Sequence, residues 1–222
     1  MSNSSRSDIL GAVRGNLAAS ARFDDSHAVH SNIASLNSDG IPSEPAADLI
    51  TTFCERLRAV NGQTTIVSNA NEAAIALQKI VDELSPRAIA LSDAQLVLSL
   101  VSALQTEAEI LNKPSTSELF SCDVGITRAQ LAIAETGTLV LESKKEFNRL
   151  TSLIPETHIC LLEADKIRRT MGEVLELMAS DLSPAVTFIT GPSRTSDIEL
   201  TLAIGVHGPR RLYVIIVDSN RN

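Results

Sequence analysis

Apolar positions along this chain fall into two alternating patterns. A helical spacing runs over residues 8–19 (Ile9, Leu10, Val13, Leu17) and over 47–60 (Leu49, Ile50, Phe53, Leu57, Val60). Short continuous apolar or β-branched runs predict strands at 64–68, 87–91, 108–111, 131–134, 138–141, 158–162, 185–190 and 212–217. Helices are expected between them at 72–84, 93–104, 166–179 and 197–204. Asn69, Asp93 and Asp165 stand where N-caps belong, and Asn61-Gly62 is a helix stop. Thr127 is expected to cap a single turn over 128–130, ahead of a hairpin whose reversal is Glu135-Thr136-Gly137. The β-α-β-α alternation predicts an α/β domain with a mostly parallel sheet. Residues 20–46 are rich in Ser, Asn, Asp and His and close on Ile41-Pro-Ser-Glu-Pro45, too long for an internal loop of a compact domain. The expected division is therefore an N-terminal helix and flexible arm, 1–45, and an α/β domain, 46–222. The arm leaves room for packing on another chain and for oligomerisation.

Composition narrows the function classes. The 222 residues include five Phe, one Tyr and no Trp, so the core is aliphatic and offers no platform for stacking single-stranded nucleic acid. A net charge of −8 does not attract phosphate backbones. The basic pairs Lys144-Lys145, Arg168-Arg169 and Arg210-Arg211 read as solvated faces. No apolar run approaches the ~20 residues of a membrane span. The first residues are polar and lack a signal-peptide core, so a cytoplasmic location is expected. Cys54, Cys122 and Cys160 are scattered, without a CxxC pair, and read as reduced core thiols. No residue spacing spells a metal site.

Three loops carry candidate chemistry. Glu135, at the rim of an apolar hairpin, is an exposed turn carboxylate or a nucleophile or general base. The stretch Thr190-Gly191-Pro192-Ser193-Arg194-Thr195-Ser196-Asp197 combines small residues, hydroxyls and an arginine ahead of a predicted helix. That setting suits an anion, and equally suits an ordinary helix cap. In Gly205-Val206-His207-Gly208-Pro209 the histidine is an acid, base or anion ligand, or a turn residue bonded to a carbonyl. Glu135 and His207 are the candidate catalytic residues, with Arg194 as helper. Thr136, Gly137, Thr138, Gly191, Ser193, Arg194, Thr195, Ser196, Asp197 and Gly208 are the candidate ligand-binding set. His27, His30 and His158 are weaker candidates, two in the arm and one at the start of a strand. Walker, dinucleotide-binding and Gly-x-Ser-x-Gly patterns are missing.

Residues 133–138, 190–199 and 205–209, in this order and spacing, resemble the lactate-utilisation (LUD) domain proteins. Within them the chain is most similar to the short, cysteine-poor lactate utilisation protein C family, over roughly residues 46–218. The resemblance implies a three-layer α/β/α fold shared with ribose-5-phosphate isomerase, glucosamine-6-phosphate deaminase and CoA transferases. It implies a part in bacterial oxidation of L-lactate to pyruvate, beside two partner proteins with ferredoxin-type cysteine motifs. Iron–sulfur clusters are then expected in those partners, and no cofactor in this chain. The alternative is a stand-alone enzyme or binding protein for a small anionic metabolite (a sugar phosphate, CoA ester or hydroxy acid) using Glu135, Arg194 and His207.

Overall fold

A computed structural model describes Gly11 and residues 46–92, 94–146, 148–196, 202–204 and 208–221. The chain divides into two units, 1–43 and 44–222. In the first, only Gly11 is described, and it is helical. Apart from Gly11, the predicted helix over 8–19 and the arm lie outside the described residues, as do Asp93, Asp197 and His207.

The second unit alternates helix and strand in the order α1 (Ala46–Ala59), β1 (Gln63–Val67), α2 (Ala70–Leu84), β2 (Ala88–Leu91), α3 (Gln95–Val101), β3 (Glu109–Asn112), α4 (Thr116–Leu119) and β4 (Val124–Arg128). There follow β5 (Leu131–Ile133), β6 (Thr138–Glu142), β7 (Thr157–Glu163), β8 (Ile167–Arg168), α5 (Met171–Ala179), β9 (Val186–Ile189), β10 (Arg194–Ser196), β11 (Leu202–Ile204) and β12 (Arg211–Val217). Six strands form a parallel sheet in the order β1-β12-β7-β4-β2-β3. A second sheet, β8-β5-β6-β9, is mostly antiparallel.

A parallel sheet covered on both faces needs strands that are apolar at every position, which is why 159–162 and 212–216 are unbroken apolar runs. Alternate residues serve alternate faces. Ile159, Leu161, Tyr213 and Ile215 pack with Leu77 and Ile80 of α2 and Val97 and Leu100 of α3. Cys160, Leu162, Val214 and Ile216 pack with Phe53 and Leu57 of α1 and with Ala132, Leu139 and Leu141 of the second sheet. The outer face of that sheet, through Ile133 and Val140, carries Val174 and Met178 of α5. This is the expected α/β architecture with helices on both sides of a mostly parallel sheet. The Glu135-Thr136-Gly137 hairpin forms as expected between antiparallel β5 and β6.

Three local expectations are corrected. Thr127 caps no turn: it lies within β4, and its buried hydroxyl is matched by His158 and Cys160 of the neighbouring strand. Asp165 does not open the helix. A 3-10 turn, Ala164–Lys166, and β8 come first, because Ile167–Arg168 extends the second sheet beside β5. The helix starts at Met171, where the Thr170 hydroxyl accepts from Glu173 N at 3.3 Å. Residues 202–204, expected in a helix, are strand β11, hydrogen-bonded antiparallel to β10. Arg194 to Ser196 are therefore themselves a strand, β10, paired with β11.

Candidate functional site

The sequence-derived candidates fall into two neighbourhoods. Glu135 is exposed at the hairpin tip, its N–H donating to Arg169 O at 3.1 Å. Its carboxylate Oε1 accepts from Met171 N at 3.1 Å, so it lies on the first turn of α5, where negative charge is favoured. Thr136, Thr138 and Thr190 form a hydroxyl chain, with 2.7 and 2.8 Å contacts through Thr138 Oγ1.

Gly137 and Gly191 allow a close approach, and the element that approaches is α1. Gly137 has φ +66°, and a Cβ there would lie 2.5 Å from Leu57 N. A Cβ on Gly191 would lie 2.9 Å from Val60 Cγ2. Arg194 completes this seat: its Nη2 donates to Val60 O at 2.6 Å, just beyond the end of α1. An exposed capping bond of this kind contributes modestly. Arg194→Ala is expected to lower unfolding stability by about 1 kcal/mol or less, read as a shifted urea midpoint at constant slope.

Gly191, Ser193 and Gly208 border a pocket of about 190 Å³ at the amino ends of β7 and β12. Its floor is His158 and Leu212, the second residues of those strands. Ser152 and Leu153 line it from the turn before β7, and Phe188 and Ile189 from β9, with Thr190 just after that strand. Ser193 N donates to Pro209 O at 2.8 Å and ties two of the walls together. Thus three of the candidate ligand-binding residues meet here, while Glu135 and Arg194 are not among the lining residues. No described lining residue bears a formal charge other than the titratable His158.

His158 was the weaker sequence candidate, yet it is the polar base of the pocket. It is buried, with Nε2 2.8 Å from Thr127 Oγ1 and with Nδ1 lacking a hydrogen-bond partner among the described residues. Burial depresses its pKa to about 3, so the ring is neutral near pH 7. Cys160, 3.7 Å from Thr127 Oγ1, is pushed up by burial to about 12 and stays a thiol. The signal available in the sequence was a histidine at the head of an apolar run, which needs a partner if it is buried.

A second polar cluster sits at the opposite, carboxyl edge of the sheet. Gln130 Nε2 donates to Arg128 O and to Glu146 Oε1, at 2.9 and 3.1 Å, and Gln130 Oε1 accepts from Glu142 N at 2.7 Å. Glu142 accepts from Lys145 and Ser183. Burial raises the pKa of the Glu146 carboxyl, opposed by nearby donors including Ser92 and Gln130. These bonds fasten the loop after β6 to the end of β4. Among the described residues, no group of His, Cys, Asp and Glu has the arrangement of a metal site. No described helix is long and apolar enough to cross a membrane.

The LUD domain family model matches residues 50–217. Lactate utilization protein C of Deinococcus radiodurans is 43% identical over 106 residues, 46% of this chain and 50% of that protein. Lactate utilization protein C of Halalkalibacterium halodurans is 30% identical over 189 residues, 79% of this chain and 80% of that protein. The chain spans about half the length of several of the curated relatives it matches. Among solved structures, a DUF162-family protein from Deinococcus radiodurans superimposes with a TM-score of 0.61 at 28% identity, covering 78% of this chain and 99% of that one.

Proposed function

The chain belongs to the LUD domain family, and on that premise we propose that it is a component of a bacterial system oxidising L-lactate to pyruvate, itself without redox clusters. The supporting observation is its likeness to relatives named lactate utilization protein C, in one case across 79% of the chain. Two partner proteins with ferredoxin-type cysteine motifs supply the iron–sulfur clusters in this reading. The state of the cysteines is compatible with it: Cys54, Cys122 and Cys160 are free and buried, and burial raises the pKa of all three thiols, whereas cluster ligands are thiolates. Within this role the pocket beside Gly191, Ser193 and Gly208 faces a ligand, and the exposed Glu135-Thr136 tip faces a partner. The alternative of a stand-alone anion site gains no cation from the described residues that line the pocket.

Reconstitution tests the proposal. The chain is combined with two candidate partner proteins that carry ferredoxin-type cysteine runs, and lactate-dependent dye reduction is measured with each component omitted in turn. Activity is expected to require all three, with iron and sulfide retained by the partners. Turnover of lactate by this chain alone, or full activity of the partners without it, overturns the reading.

A further inference from the structure

Glu142 and Glu146, four residues apart, are both buried at the carboxyl edge of the large sheet, but they are held there differently. Glu142 Oε1 accepts from Lys145 Nζ at 2.9 Å and Oε2 from Ser183 Oγ at 3.0 Å, so an ammonium supplies its counter-charge. Glu146 has no such partner. Its Oε1 accepts from Gln130 Nε2 at 3.1 Å. The roles in that bond are fixed by backbone groups, because the same amide donates to Arg128 O and its oxygen accepts from Glu142 N. Glu146 Oε2 is buried without a hydrogen-bond partner among the described residues. Ser92 Oγ, just after β2, lies nearby without reaching a hydrogen-bonding geometry. The charged and titratable groups that face Glu146 are Arg128, at the end of β4, and Cys160 of β7. Arg128 is already paired with Glu163, and Cys160 stays a thiol. Glu142 and Lys145, on the same segment as Glu146, pair with each other.

We infer that Glu146 is a proton-operated latch on the segment between β6 and the 3-10 turn Arg149–Ser152: protonated, it holds the segment against Gln130, and ionised, it releases it. A buried carboxyl with one neutral donor is least costly uncharged, whereas the same group in an opened, hydrated segment is an ordinary acid. Closing therefore takes up a proton and opening gives it back. Burial raises the Glu146 pKa, and the nearby donors and Arg128 reduce that rise without reversing it. Below the ordinary carboxyl pKa of ~4.3, both forms are protonated and pH has no effect. Above it the open form ionises first, and opening grows by up to ~10-fold per pH unit until the closed form ionises too. The segment continues into the turn that brings Ser152 and Leu153 to the pocket wall, so the latch ties that wall to proton concentration. The inference does not rest on the lactate reading.

The test follows backbone amide exchange in the full chain from about pH 4.5 to 8, each rate divided by its intrinsic rate at that pH. Lys145 and Glu146 donate their N–H groups to Glu142 O, at 3.0 and 3.1 Å, and report the segment. Their opening is expected to rise at least ~10-fold across that range in the wild-type chain. Glu146→Gln keeps an acceptor for Gln130 and does not ionise, so its opening is expected to show no trend with pH. The destabilisation that His158 brings at low pH runs in the opposite sense and does not imitate this result. In parallel, the side-chain carboxyl of Glu146 is titrated by ¹³C NMR in the wild-type chain and is expected to ionise above the ordinary carboxyl range. A Glu146 carboxyl that titrates at or below ~4.3 overturns the inference, whether or not the variant folds. So does wild-type opening that is flat with pH, or a trend that persists in a folded Glu146→Gln. The dye-reduction assay is separate, so failure of the lactate reading leaves these outcomes legible.

Discussion

Between pH 6.5 and 4.5 the wild-type protein is expected to lose ~2–3 kcal/mol more stability than a His158→Gln variant. The unfolded histidine titrates near 6.5, whereas burial holds the folded one at about 3. Above 6.5 neither state binds the proton and the histidine has no effect on the pH dependence. As the pH falls below 6.5, the unfolded chain takes up a proton that the folded protein refuses, so stability declines down to about pH 3. Each pH unit in that window costs ~1.4 kcal/mol. Glu146 works in the opposite direction, because its folded pKa is raised and folding then favours its protonated form. That contribution is common to both proteins and cancels in the difference. Glutamine keeps a polar amide that can donate or accept a hydrogen bond but does not titrate. Urea unfolding at half-unit pH steps reads the result, and parallel curves for the two proteins would refute the buried neutral imidazole.

Gly125→Ala is expected to cost more than ~3 kcal/mol, beyond the usual penalty for overpacking. Gly125 is in the middle of β4, between Ala90 of β2 and His158 of β7. A Cβ there would lie 2.0 Å from Thr151 O and 3.1 Å from Thr151 C. Both are backbone atoms of the 3-10 turn Arg149–Ser152, so no side-chain rotation relieves the clash. The turn must lift from the sheet, and with it Ser152 and Leu153 in the pocket wall. Gly208→Ala is the natural control, since its added Cβ would lie 3.1 Å from Ser193 Cβ and 4.0 Å from the backbone atom Leu153 O. Urea midpoints for the two variants measure the contrast. A loss below ~1 kcal/mol for Gly125→Ala would show that the turn yields easily.

The main architecture was legible because its signals are local. Unbroken apolar runs such as Leu212–Ile216 mark doubly covered strands, and Asn69 caps α2 as read, accepting from Glu72 N at 3.0 Å. The misread segments depend on distant partners. Thr127 looks like a cap because a threonine before Arg128 suits one, and the residues that satisfy it lie 31 and 33 positions away. Residues 202–204 pair with 194–196 across a hairpin, which competes with a helical pattern of equal apolarity. At the site, Gly191, Ser193 and Gly208 were readable as small residues in loops. His158 was not, because its chemistry follows from a neighbouring strand. Glu142 and Glu146 were equally hidden, since only the folded chain brings Gln130 and Ser183 to them.

The second sheet draws on two separate excursions of the chain. Strands β5 and β6 come from the segment between β4 and β7, and β8 and β9 from the segment between β7 and β12. Leu139 to Glu142 pair with Val186 to Ile189, nearly fifty residues later. Such a joint closes only after both crossovers have been laid down, which places it late in the order of assembly. The pocket straddles that joint, with Ser152 and Leu153 from one excursion and Phe188 to Gly191 and Ser193 from the other. A molecule bound there would act on the last seam of the fold, and its mass-action stabilisation would fall on the step that completes the native state.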